Sequence, residues 1–354
     1  MRVLIIGPRF HGYLAAMGAA LEHLGHGVSV HAYDAADTLA ERVRNKALHD
    51  LPGKWTARWA DWEGRRAAAV LDRERPDALL VVKGDRLGDD WWAAVDRWNG
   101  PRVTWLYDEI DRMAYTREQL AAMPVVATYS AADAASLAGT AGTVRHLPLG
   151  HDSLLAFHRR PTGAVTFIGA RYPQREALLA GLVAAGMPVR AYGRDWSRHP
   201  ADVLASRHWR PSGVPAGRTL ARDEAYGVMA GSEATVNIHG HQDGFTMRTF
   251  EACGVGALQL VDRADVDVHF EPGREVLVFT DGDELAEHAE RVIREPAWAR
   301  GIAEAGRRRA WPNTPSCTGC ERWKRCGPEP SRFPRGLASV GTALRASAIR
   351  RCSA

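Results

Sequence analysis

Two carboxylic acids, Asp243 and Glu251, bracket a segment whose residue types suit the binding of an anion, with seven residues between them. The segment follows an apolar run, Ala234 to Ile238, that reads as a buried strand. A glycine-containing turn, Gly240 to Gly244, leads into a predicted helix from Thr246 to Cys253. Gly254 and Gly256 suit its stop, and a second apolar strand, Ala257 to Val261, follows at once. In such a βαβ unit the helix start faces the carboxyl edge of a parallel sheet. Backbone N–H groups near Phe245, Thr246 and Met247 therefore favour an anion, phosphate being the usual one. His239 and His241 stand at i, i+2 after the strand, a spacing open to a metal pair. No third ligand accompanies them, so no metal is expected.

The rest of the chain must supply the sheet that carries this unit. Arg2 to Ile6 reads as a buried strand, Gly7 to Gly12 as a turn, Tyr13 to Gly25 as a helix and Val28 to Tyr33 as a second strand. That is a half-Rossmann opening. Gly7 and Gly12 do not form the G-x-G-x-x-G fingerprint, so dinucleotide binding is not expected, although Asp34 could serve as a ribose acid. Further strands are expected at 77–82, 102–107, 125–129 and 144–149. Asp108 follows one of them, at a strand end where active-site groups of parallel sheets often sit, and is a candidate acceptor contact or general base; a strand-end cap is the other reading. Lys83 after strand 77–82 is open to an anion or to solvent. Trp55, Trp59 and Trp62 at helical spacing read as core packing rather than a sugar platform.

Gly150 to Gly163 has no period and reads as a linker. Beyond it, strand 164–168 leads through Gly169-Ala-Arg-Tyr-Pro-Gln-Arg175 into a helix from Glu176 to Ala185. The stretch from strand 189–192 to Arg222 is expected to be irregular, followed by a short helix from Asp223 to Met229 and a last strand at 275–279. Asp281 or Asp283 is expected to cap the helix Glu284 to Arg294, with Pro296 as its stop.

The central stretch resembles the CgeB-like (spore maturation protein) branch of GT-B glycosyltransferases, related to glycosyltransferase families 1 and 4. The residues that carry the resemblance are Asn237-Ile-His239, Asp243-Gly244, Met247-Arg248, Phe250-Glu251 and Gly254, with Phe167-Ile-Gly169, Tyr172-Pro173, Arg175 and Gly193 to Trp196 beside them. The acid pair with seven residues between resembles the acid-x7-Glu motif of retaining members, except that the first acid is Asp rather than Glu. The resemblance implies an α/β GT-B fold, two Rossmann-like domains facing across a cleft. Residues 1–155 would form the acceptor-side domain and 164–310 the nucleotide-sugar donor domain. It implies a metal-independent, retaining transfer from a nucleotide-diphosphate sugar as co-substrate, with no other cofactor. Asp243 would hold sugar hydroxyls and Glu251 the ribose. Arg171 and Arg175 would offset the diphosphate charge, arginine being able to clamp phosphate with two parallel N–H bonds. Gly193 would let the backbone approach the base. Gly169, His239, Gly244, Phe245, Thr246, Met247 and Arg248 complete the implied donor set, with His11 and Gly12 on the acceptor side.

Composition sets the outer bounds. The chain has 354 residues, enough for two domains, with 45% hydrophobic and 25% charged residues as in ordinary globular proteins. No long uncharged apolar run indicates a membrane span and the N-terminus does not read as a signal peptide, so a cytoplasmic protein is expected. The net charge of +4 comes from one segment: residues 307–354 carry 11 Lys/Arg against 2 Asp/Glu, and the remainder is net acidic. Nucleic acid is therefore not an expected partner. That segment also holds Cys317, Cys320, Cys326 and Cys352, and the remoteness of the fourth argues against a zinc site. Shifting the frame at Trp311, with suitable third bases, gives A-E-H-T-F-V-H-R-V-R-A-L-E-A-L-R, an amphipathic helix that resembles the family's usual end. Residues 311–354 are therefore expected to be frameshifted and poorly ordered, which resequencing of the coding DNA decides. Two other function classes remain at this level. A non-catalytic nucleotide-sugar-binding protein would share the fold, and a nucleotide-binding oxidoreductase or epimerase would need glycines the first turn lacks.

Overall fold

The computed structural model describes residues 1–36, 38–41, 43 and 61–311. Trp55 and Trp59 of the tryptophan stripe, and the tail beyond Trp311, lie outside the described residues. The chain divides into two compact units, with the boundary between Pro148 and Leu149.

The first unit is built on six parallel strands, β1 (Arg2–Gly7), β2 (Gly27–Ala32), β3 (Ala78–Val82), β4 (Arg102–Trp105), β5 (Val125–Thr128) and β6 (Thr143–His146), in the order β2-β1-β3-β4-β5-β6. All five residues of β3 are buried, as a strand covered on both faces requires. The covering helices are α1 (Tyr13–His23), α2 (Trp62–Glu74), α3 (Asp89–Trp98), α4 (Arg117–Ala121) and α5 (Ala131–Ser136). Trp91 on α3 is wholly buried and packs with Leu4, Ile6, Leu71, Leu79 and Val81 into one core. Short caps fix the smaller helices: Thr116 and Gln119 form a reciprocal capping box, and Ser130 accepts from the Asp133 N–H at 2.9 Å.

The second unit repeats the plan with β7 (Val165–Ile168), β8 (Val189–Tyr192), β9 (Ala216–Gly217), β10 (Ala234–Asn237), β11 (Gln259–Val261) and β12 (Leu277–Val278), all parallel, in the order β12-β11-β10-β7-β8-β9. Its helices are α6 (Pro173–Ala184), α7 (Pro200–Ser206), α8 (Arg222–Gly231), α9 (Met247–Gly254), α10 (Gly282–Arg294) and α11 (Pro296–Ala310). Val165, Phe167, Val236 and Leu260 from the sheet meet Leu179, Leu285 and Ile302 from the helices. The order reverses at β10 and β7, the place where open α/β sheets receive ligands at their carboxyl ends.

Three local expectations change. α6 begins at Pro173 rather than Glu176, because proline at the first helical position has no N–H to lose. Pro296 likewise opens α11 directly after α10. The stretch after β8 is not irregular throughout, since it contains α7 and β9. Asp281 is the cap of α10, its Oδ1 accepting from the N–H groups of Asp283 and Glu284 at 3.0 and 2.9 Å.

Candidate functional site

The loop between β10 and α9 is held by a chain of buried hydrogen bonds. Asn237, the last residue of β10, donates through Nδ2 to Thr249 Oγ1 at 2.8 Å and to Gln259 Oε1 at 3.0 Å, tying β10 to α9 and β11. Thr249 Oγ1 lies 3.2 Å from His239 Nε2. His239 Nδ1 lies 2.7 Å from Asp262 Oδ1, and the His239 backbone N–H donates to Asp262 Oδ2 at 2.8 Å. An amide nitrogen only donates, so the Thr249 oxygen accepts from Asn237 while also engaging His239 Nε2. The imidazole Nδ1–H donates to the Asp262 carboxylate. His239, 4% exposed, thus has both ring nitrogens engaged inside the protein.

Arg263, next to Asp262, holds the other side of the loop. Its Nη1 donates to the Gln242 carbonyl at 2.8 Å and its Nη2 to the Asp243 carbonyl at 2.7 Å. Its guanidinium carbon stands 4.2 Å from the centre of the Phe245 ring, and Asp265 pairs with the same guanidinium. That pairing raises the Arg263 pKa and lowers that of Asp265. The loop backbone is therefore fixed while the Asp243 residue itself stays exposed. His241 is also exposed.

α9 starts here with Thr246 as its N-cap residue, no side-chain cap and no acid in its first turn. The positive end of the helix is thus not answered by its own first turn. Gly244 and Phe245 are buried behind it, and Thr246, Met247 and Arg248 are partly exposed. Glu251, one turn further in, is 0% exposed. Its carboxylate lies 2.9 Å from Arg248 Nη1 and accepts from the Tyr226 hydroxyl at 3.4 Å. Burial first, and then the Glu251 charge, push the Tyr226 phenol upward. Arg248 and Tyr226 therefore occupy Glu251 where the resemblance implies ribose hydroxyls.

The two arginines of the β7–α6 turn separate sharply. Arg171 forks onto Glu176, Nε to Oε2 at 2.9 Å and Nη2 to Oε1 at 2.7 Å, and donates through Nη1 to the Arg210 carbonyl at 2.8 Å. Its charge is thus compensated by Glu176, and the bond to Arg171 also holds the Glu176 carboxyl below its usual range. Arg175 instead donates only to carbonyls, through Nη2 to Ile238 at 2.6 Å and through Nη1 to Ala170 at 3.2 Å. It lies over the Tyr172 and Phe167 rings at 4.8 and 5.5 Å. Among the described residues it has no carboxylate within ion-pair distance, and burial lowers its pKa. The Ile238 contact places this cation, which feels the Asp262 charge without pairing to it, at the end of β10.

Gly169 and Gly193 serve backbone packing. A Cβ on Gly193 would stand 2.6 Å from the Gly169 carbonyl oxygen, which also accepts from Trp196 Nε1 at 2.9 Å. Gly193 lets the β7 and β8 loops touch.

In the first unit, Asp108 pairs with Lys83 at 3.0 Å, each side chain 28% exposed, and also accepts from the Glu109 N–H. His11 and Gly12 are exposed and both left-handed, at φ 45° and 77°. Sequence reasoning missed Asp262 and Arg263, although their place directly after β11, at a parallel strand's carboxyl end, is a readable signal. Among the described residues no group of three or more His, Cys, Asp or Glu is placed to hold a metal ion, and no helix is long and apolar enough to cross a membrane.

Comparison with known proteins bears on this geometry. Residues 171–316 match the family model of glycosyl transferase-like proteins. No curated protein matches the chain. Among solved structures it is similar to sucrose-phosphate synthase from Thermosynechococcus elongatus, at 16% identity and TM-score 0.61, covering 87% of this chain and 94% of that one. It is similar to Anabaena HepE in complex with UDP and glucose, at 14% identity and TM-score 0.57, covering 87% and 94%. It is also similar to a DNA-modifying β-glucosyltransferase studied with and without uridine diphosphoglucose, at 11% identity and TM-score 0.55, covering 98% and 99%. The two six-stranded parallel sheets are a GT-B fold, and the chain carries a glycosyltransferase domain within its second unit.

Proposed function

We propose that this GT-B protein transfers a sugar from a nucleoside-diphosphate donor, held at the carboxyl edge of the second sheet, to a hydroxyl acceptor. The observation that carries the reading is Arg175, a partly buried guanidinium with no carboxylate partner among the described residues, bonded to Ile238 at the end of the strand that feeds α9. A partly buried charge with no ion-pair partner is costly, and a diphosphate would supply one. The start of α9, which the Thr246 side chain does not cap, adds partial positive charge on the same β10–α9 connection. In transfer, the bond from the anomeric carbon to the diphosphate oxygen breaks and its electron pair leaves with the phosphate. A bond forms from the acceptor oxygen, whose proton passes to a base. Arg175 and the helix stabilise the leaving charge without a metal ion.

Asp243, the exposed acid on the riveted loop, is assigned to the sugar hydroxyls near the anomeric carbon. Glu251 reaches a ribose only once Arg248 swings aside, and retention follows from the acid pair's resemblance to retaining enzymes. Asp108 is assigned as the acceptor-side base. Neighbours of this fold crystallise with UDP, which makes UDP-sugars the first donors to try.

The test is donor turnover by the full chain, with UDP-glucose and its commoner relatives, for wild type and Asp243→Asn. An acid acting on substrate should cost about 100-fold or more in turnover while leaving UDP affinity within a few-fold. UDP binding by wild type without hydrolysis or transfer of any donor would select the non-catalytic binding protein instead.

A further inference from the structure

The first unit concentrates backbone strain in a place its helices do not explain. Seven described residues other than glycine have left-handed φ. Four of them are helix ends: Asp61 opens α2, and Arg75, Asn99 and Arg207 close α2, α3 and α7. The other three are His11 at 45°, Lys83 at 61° and Tyr107 at 60°. They follow β1, β3 and β4, three neighbouring strands of one parallel sheet, and so share its carboxyl edge. Strain of this kind persists only where the surroundings enforce it, and it clusters at ligand sites.

The side chains presented there have a definite chemistry. Phe10 is 42% exposed. The Tyr107 ring meets it edge to face, with centroids 6.1 Å apart and planes at 84°, and Trp105 backs Tyr107 at 4.9 Å. The two rings form a corner of apolar surface. His11 adds a third ring 5.2 Å from Phe10. Beside them the Lys83 ammonium and the Asp108 carboxylate offer a donor and an acceptor 3.0 Å apart. Their charges cancel, so this pair gives an anion no advantage. An apolar corner next to a neutralised donor–acceptor pair fits a neutral ring with one C–H face and a rim of hydroxyls.

We propose that the acceptor is a neutral saccharide, stacked on Phe10 and Tyr107 with its hydroxyls at Lys83 and Asp108. The inference rests on the glycosyltransferase reading and adds the acceptor's chemical class. Tyr107 takes its unfavourable backbone conformation to set its ring against Phe10, and Lys83 takes its own to reach Asp108.

Saturation-transfer NMR on the full chain tests this. The probes are methyl α- and β-glycosides of glucose, galactose, mannose and N-acetylglucosamine, with UDP present at saturation. At least one glycoside should receive saturation at its ring C–H protons. The signal should fall threefold or more in Phe10→Ala, a change at an exposed residue, and in Tyr107→Asn, which tolerates left-handed φ but lacks the ring. UDP affinity should be unchanged in both. Absence of saturation in every glycoside while UDP binds overturns the proposal, as does saturation indifferent to both variants. Preference for a sugar phosphate over its neutral parent, or Phe10-dependent binding of a planar phenol where no glycoside binds, also overturns it. Failure of wild type to bind any nucleoside diphosphate sinks the donor reading, and this inference with it.

Discussion

Replacing Arg175 by alanine gives the sharpest test of how the second unit handles charge. Hydrogen bonds to a charged group contribute about 1.5–3 kcal/mol, and the partners left here are the carbonyls of Ile238 and Ala170, not a carboxylate. If a diphosphate is the missing counter-ion, its loss of that contact weakens UDP binding by about 10- to 150-fold. Arg171→Ala is the internal control. The Arg171 charge is already answered by Glu176 through two bonds of 2.9 and 2.7 Å, so its removal should change UDP affinity by no more than about twofold. Arg175→Lys keeps the charge but loses the fork, and should fall between wild type and Arg175→Ala. Titration calorimetry at low and moderate salt reads all four proteins. The affinity gap between wild type and Arg175→Ala should narrow only modestly with salt, because the guanidinium is partly buried and screening acts weakly there. Wild-type UDP affinity in Arg175→Ala, or a larger loss in Arg171→Ala, would refute the assignment of Arg175 to the diphosphate.

The loop rivet predicts a different signature: Asp262→Ala strands the His239 N–H and its Nδ1 proton, costing about 2–4 kcal/mol of local stability, and should lower both the melting temperature and donor affinity, whereas Asp262→Asn keeps one acceptor and recovers most of both. His151 predicts a pH effect of definite sign. Burial, and then Arg307, lower its pKa from 6.5 to about 4. The unfolded state then binds the extra proton first, so stability falls as pH drops from about 6.5 toward 4, by about 3 kcal/mol in total. Melting curves across that window should be steeper for wild type than for His151→Phe, which fills the same place against Trp311 and cannot titrate. Equal slopes would remove His151 from the account.

How far the sequence reaches depends on what decides each feature. Apolar runs such as Ala78 to Val82 could only be strands buried on both faces, and the glycines after Cys253 end a helix for a local reason, so both sheets were legible. The tight αβ boundaries were less so, because Pro173 and Pro296 carry opposite meanings just inside a helix and just after one. Charge compensation was not legible at all. Arg171 and Arg175 sit on one short turn, and the sequence gives no means to tell which of them finds Glu176. Glu176 lies five positions after Arg171 and one after Arg175, and only the reversal of the chain into α6 puts it within reach of the former.

The same limit applies to the partners of His239. Its surroundings are set by Asp262, which lies 23 positions further on and arrives through the β10–β11 pairing of Asn237 with Val261. That pairing fixes the register of the two strands, and Asp262, one residue past Val261, then meets His239, two residues past Asn237, across the sheet edge. Once the register is given, the His239–Asp262 contact is nearly obligatory, and with it the loop that carries Asp243. The acid that faces outward therefore owes its position to an acid that faces inward. A substitution that shifts the β10–β11 register by one residue should disable the loop as fully as removing Asp243, although it touches no group that would meet the donor.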